Sequence, residues 1–184
     1  MSMLTKPAIC IACVGNELAR DDGVGMRIGR ILAQVPLPAG VFVRFYPQVD
    51  LDLIDDLLSC RRLLLCDATR TGIAPGTVTV HSWQNLTSLS RQPYCCHGIG
   101  LADLVKIAVE LAPSTAQWDI HFVGVEAETV DEYGTQLSDA VQAALPVAIS
   151  TILRMVSASA ELIASAQVVA RNFLAPNSLS AYGG

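Results

Sequence analysis

An apolar run, Ala8 to Val14, ends abruptly at Gly15-Asn16, and two adjacent carboxylates, Asp21 and Asp22, then precede Gly23-Val24-Gly25 and a helical pattern. The stretch from Val14 to Gly29, VGNELARDDGVGMRIG, reads as strand, turn, acidic loop and helix. An apolar run without alternation suits a strand covered on both faces, which commits the chain to a sheet packed between helices. Carboxylates at the carboxyl end of such a strand, where a helix begins, are placed to hold a metal or to move a proton.

The remaining pattern extends this unit. Val24, Ile28, Ile31, Leu32 and Val35 follow helical spacing, and Pro36 and Pro38 stop that helix. Val41 to Tyr46 reads as a second strand, and Leu51 to Leu58 as a short helix with Asp50 as its N-cap. Leu63 to Cys66 is a third, buried strand ending on Asp67. The connection from Thr69 to Gly76 is too short for a crossover helix, so the strand from Thr77 to Trp83 is expected to run antiparallel. Leu101, Leu104, Val105, Ala108 and Leu111 mark a helix, and Trp118 to Val125 the last strand. The segment Glu126 to Gly134, with Glu126, Glu128, Asp131 and Glu132, reads as an exposed acidic loop. Ser138 is placed to cap a short helix, and Pro146 to sit in the first turn of the next, whose core stripe is Ile149, Ile152, Leu153 and Val156.

The expected fold is a three-layer α/β/α sandwich around a largely parallel, twisted five-stranded sheet. Residues 1–160 form a single domain, and residues 161–184, where the pattern weakens, form a C-terminal extension ending in a frayed tail.

At 184 residues one domain is the default, and 52% hydrophobic against 16% charged residues favours a packed core over disorder. The net charge of −5 and the lack of a basic run exclude nucleic acid as a partner. No run reaches the roughly 18 apolar residues of a membrane span. The best candidate, Ala140 to Leu153, is broken by Gln142 and Pro146. The amino-terminal stretch lacks the organisation of a cleaved signal peptide, so the expected location is the cytoplasm. Of six cysteines, Cys10, Cys13 and Cys66 fall in central strands and read as reduced, buried thiols. Cys10 and Cys13 are not a redox or zinc pair, because their odd spacing puts them on opposite faces of a strand.

Three polar positions fall where an open α/β sheet keeps its site: Asp22 after the first strand, Asp67 closing the third, and His97 in the loop entering a helix. Two carboxylates and an imidazole with open positions suit a borderline divalent metal such as nickel or zinc. Each also has a plainer reading: Asp22 as a helix cap, His97 as a structural histidine. Asp67, a charge beside the apolar Leu63 to Cys66, is the hardest to explain without a partner. Cys95 or Cys96 beside His97 is a weaker nucleophile arrangement, lacking an orienting third group. His81 and His121 lie in strands.

The segments GNELARDDGVGMRI, LLLCDATRTGIAPGTV, CCHGIGLADLV and VGVEAETVDEYGTQLSDAVQAALP, in this order, resemble the [NiFe]-hydrogenase maturation endopeptidases. The resemblance implies a nickel-dependent protease that removes a C-terminal peptide from the precursor of the hydrogenase large subunit. It also implies that Asp22, Asp67 and His97 are both the catalytic set and the ligands of a nickel supplied by the substrate. No other cofactor is implied, and a monomer is expected. The chain departs from the family pattern in having Asp22 where many members have Glu, and Pro47-Gln48-Val49-Asp50 where several have an Asp-Gly-Gly-type loop. Three rival readings remain: a non-catalytic nickel-binding chaperone for the same subunit, a two-metal zinc amidase, and a nucleotide-binding module, the last disfavoured by acids where phosphate would sit.

Overall fold

The computed structural model describes residues 9–83, 101–111 and 119–173. The chain runs β1 (Ile9–Val14), a 3-10 turn (Arg20–Gly23), α1 (Val24–Leu32), β2 (Val41–Tyr46), α2 (Asp52–Ser59), β3 (Arg62–Thr69) and β4 (Val78–Ser82). It continues through α3 (Leu101–Leu111), β5 (Asp119–Glu126), α4 (Asp139–Met155) and α5 (Ala160–Phe173). The sheet order is β2-β1-β3-β5-β4, parallel except for the β4–β5 pair. The expected five-stranded sheet with one antiparallel strand is therefore present.

The central strands bury side chains on both faces, which explains their unbroken hydrophobicity. Ile11, Cys13, Leu64, Cys66, Val123 and Val125 pack with α1, α4 and α5. Cys10, Ala12, Val14, Leu63, Leu65, Ile120 and Phe122 pack with α2 and α3. Cys10 and Cys13 thus lie on opposite faces, and Cys10, Cys13, Cys60 and Cys66 are all buried free thiols.

Several local expectations shift. The N-cap position of α2 is Leu51, but the Asp50 carboxylate still accepts the Asp52 N–H at 3.0 Å, so it caps from one residue further out. Strand β3 does not end on Asp67 but continues to Thr69. Pro146 lies inside one continuous helix, α4, and does not start a new one. A proline there forfeits a helical hydrogen bond at a cost of about 3 kcal/mol. The stripe Val141, Ala144, Leu145, Ala148, Ile149, Ile152 and Leu153, buried on both sides of the proline, holds the helix through it. Ser138 does cap this helix, accepting from the Val141 N–H. The weak pattern beyond Ala160 is a helix, α5, which packs against α1 and α4 through the small residues Ala166 and Ala170.

Glu126 is the last residue of β5 rather than part of an exposed loop, and is 2% exposed. Its carboxylate accepts from Thr69 Oγ1, the Thr71 N–H and hydroxyl, and the Gly72 N–H, at 2.7 to 3.0 Å. It closes the β3–β4 loop from inside. Glu128, Asp131 and Glu132 are exposed, as expected. Among the described residues no helix is long and apolar enough to cross a membrane.

Candidate active site

The site grows from the parallel pairing of β1 with β3. Cys13 stands opposite Cys66 at the carboxyl ends of these two central strands, and Asp67 follows Cys66 directly. By strand alternation Asp67 shares a face with Leu63 and Leu65, the face covered by α2 and α3. Beyond β1 the chain turns at Gly15, whose φ of +138° suits glycine. A Cβ there would strike the carbonyl oxygen of Asp22, so the turn and the acidic pair are packed backbone to backbone. The 3-10 turn carrying Asp21 and Asp22 packs in turn against β3. Asp22 and Asp67 are thereby brought to one end of the sheet, each 2% exposed.

Neither carboxylate is bare. Asp22 Oδ2 accepts the Asn16 N–H at 2.9 Å, and Asp67 Oδ1 accepts the Ala68 N–H at 2.8 Å. Buried carboxylates need such donors, or a cation, to offset lost hydration. On the other face of the sheet the Cys13 thiol is pushed well above its ordinary value, first by its hydrogen bond with Cys66 and then by burial. That thiol stays neutral.

The adjacent Asp21 behaves differently. It is fully buried and spends its carboxylate on Ser138 and on the N–H groups of Glu128 and Thr129. The sequence singles out Asp22 as a site residue but gives Asp21 no role of its own. Alternation offers a weak clue, since neighbouring side chains rarely face one target.

His97 and the neighbouring Cys95 and Cys96 lie outside the described residues. Helix α3, which begins shortly after His97 in the chain, packs on the face that Asp67 shares. Among the described residues no group of three or more His, Cys, Asp or Glu side chains is placed to hold a metal ion. A three-ligand centre built on Asp22 and Asp67 would need a third donor from outside the described residues, where His97 lies. Two carboxylates in a nearly dry setting fit a divalent ion's demand for anionic donors. His121, by contrast, is bound to Asp119 at 2.6 Å near the amino end of β5, far from this site along the strand.

Such a layout defines a class: an open α/β sandwich whose chemistry gathers at the carboxyl ends of its two central strands. Residues 49–155 match the model of the hydrogenase maturation protease family, HycI, and the chain belongs to that family. It is a peptidase by that membership. The matched residues include Asp67 and His97 but not Asp22. Among proteins of similar sequence is the hydrogenase expression/formation protein HoxM of Azotobacter vinelandii, 25% identical over 84% of this chain and 74% of its own. The structure resembles the hydrogenase maturating endopeptidase HybD from E. coli, with a TM-score of 0.71 and 26% identity over 82% of this chain and 92% of that one. It also resembles the [NiFe] hydrogenase maturation protease HybD from Thermococcus kodakarensis, with a TM-score of 0.66 and 28% identity over 81% of this chain and 99% of that one.

Proposed function

We propose that this chain removes the C-terminal peptide from the nickel-loaded precursor of a [NiFe]-hydrogenase large subunit, reading the substrate's nickel with Asp22, Asp67 and His97. The observation that carries this reading is the burial of Asp22 and Asp67 together at the carboxyl ends of β1 and β3, in a chain of the maturation protease family. Two buried carboxylates form a local anionic receptor. A divalent ion already held by the substrate offsets their desolvation and draws the substrate's C-terminal region to the strand ends. Specificity then follows from coordination: a precursor without nickel lacks the group that the carboxylates recognise. The buried free cysteines among the described residues support a reducing compartment, the cytoplasm.

The test is processing of nickel-loaded and nickel-free precursor by the wild type and by Asp67→Ala. Shortening of the loaded precursor by the wild type alone is expected, with the nickel-free precursor left intact. Equal cleavage of the nickel-free form would remove nickel recognition, and cleavage by the variant would remove Asp67 from the site. Binding without shortening would turn the reading into a chaperone that inspects the subunit.

A further inference from the structure

We propose that Asp21 is a positioning residue for Asp22, acting through main chain and loop rather than by touching substrate. This rests on the reading of Asp22 as a site residue.

The acidic pair divides its labour. Asp21 Oδ2 accepts from the Glu128 N–H at 2.9 Å, the Thr129 N–H at 3.1 Å and the Ser138 hydroxyl at 2.8 Å, while Oδ1 accepts the Ser138 N–H at 2.6 Å. Four donors converge on a carboxylate that is 0% exposed. All four come from the two ends of the segment joining β5 to α4, and Ser138 is itself the N-cap of α4. The main chain around Asp21 is tied to the same segment. The Asp21 N–H donates to the Thr129 carbonyl, the Arg20 N–H to that of Gly134, and the Gly134 N–H back to that of Leu18. Arg20 is held at a φ of +52°, a conformation that non-glycine residues adopt only when their surroundings impose it.

Asp22 is the next residue. Its carbonyl lies where a Cβ on Gly15 would fall, so it has no room to move toward β1. On its other side the link to the core is Asp21. The Asp22 carboxylate is thus aimed by two constraints, close packing at Gly15 and the four-donor clamp on Asp21. An asparagine at position 21 keeps the shape but presents an NH2 group to a ring of donors, leaving at least one N–H or O–H facing another. The turn must then shift, and Asp22 with it.

Asn16 supplies a reporter. Its N–H bonds Asp22 Oδ2 and none of the bonds formed by the Asp21 carboxylate. In Asp21→Asn, amide exchange at Asn16 should quicken about tenfold or more. The KM for nickel-loaded precursor should rise by a similar factor with kcat within about twofold, as expected when a group that recognises the substrate is misplaced. Asp119→Asn, at the amino end of β5 and remote from the site, is the control for lost stability and should change neither. Should Asp21→Asn fail to fold, Ser138→Ala removes one donor of the four, and should move both readouts the same way by about threefold. Asn16 protection and KM both retained in a folded variant would overturn the proposal. The exchange measurement needs no substrate, so it stands or falls separately from the reading of the function.

Discussion

A Cβ at Gly25 would land on the main-chain carbonyl oxygen of Cys66, and on that of Val14 as well. Helix α1 therefore starts flush against the carboxyl ends of both central strands, with no side chain between. Gly25→Ala forces apart three pieces of backbone, none of which can rotate away. We expect a loss of about 3 kcal/mol, at the upper end for overpacking, and a fall in Tm of about 6–12 °C for a domain of this size. Thermal unfolding checks it. A variant as stable as the wild type would show that α1 does not seat against the strands in this way.

The buried side of β2 carries a polar contact that stability measurements can read. The Tyr46 hydroxyl donates to Asp56 Oδ2, while Arg44 Nε approaches the same oxygen at 3.5 Å. Burial first, and then the hydrogen bond to Asp56, push the Tyr46 phenol above its ordinary value. Tyr46→Phe leaves a carboxylate of 9% exposure with one donor fewer. The expected loss is about 1–3 kcal/mol, measured by denaturant unfolding. The Tyr46 phenol should also resist ionisation in an absorbance titration past the ordinary tyrosine value of about 10.

Much of the fold was legible because the central strands are apolar on both faces and the glycines and prolines punctuate them. Val41 to Tyr46 and Leu101 to Leu111 fall where the pattern puts them. The failures share a physical cause. Glu126 ends the apolar run of β5 much as Asp67 follows that of β3, yet one was read as an exposed loop residue and the other as a ligand. Its partners, Thr69, Thr71 and Gly72, are 54 to 57 positions away, a distance that no local pattern spans. Helix α5 was missed although Leu162, Ile163, Ala166, Val169, Ala170 and Phe173 recur at helical spacing and pack on the core, because the two fully buried members of that stripe are alanines. The separate duties of Asp21 and Asp22 also depend on distant partners, at positions 128, 129 and 138.

The buried thiols make a chemical prediction. Burial is the main cause that pushes the Cys60 thiol up to about 11, with the Asp56 charge adding to it. Burial and Asp56 act on Cys10 in the same direction. At pH 8 the thiolate fraction of Cys60 is then about one in a thousand, and only thiolate alkylates. Mass spectrometry after brief iodoacetamide treatment of native protein should find Cys10, Cys13, Cys60 and Cys66 unmodified. Treatment in denaturant should modify all four. Rapid native labelling at any of them would contradict the packing of the sheet described here.

The amino ends of β3 and β5 are joined by Arg62, whose Nε meets Asp119 Oδ2 at 2.5 Å while a second nitrogen donates to the Met155 carbonyl at 2.7 Å. Burial alone would raise the Asp119 carboxyl. The hydrogen bonds from Arg62 and His121, with their charges, outweigh it and hold the carboxyl below its ordinary value. A carboxyl lowered on folding contributes stability that is complete above the unfolded value of about 3.9 and disappears as pH falls through the folded value. The Asp119 side chain is 41% exposed, so solvent screening limits the contribution to about 1 kcal/mol at most. Asp119→Asn should therefore unfold slightly below the wild type at pH 7. The gap should close in acid, as pH falls through the folded value and the wild-type carboxyl becomes neutral too. Paired unfolding curves at pH 7 and in acid measure this directly, and a gap that widened in acid would mean that the Asp119 carboxyl is raised in the folded protein.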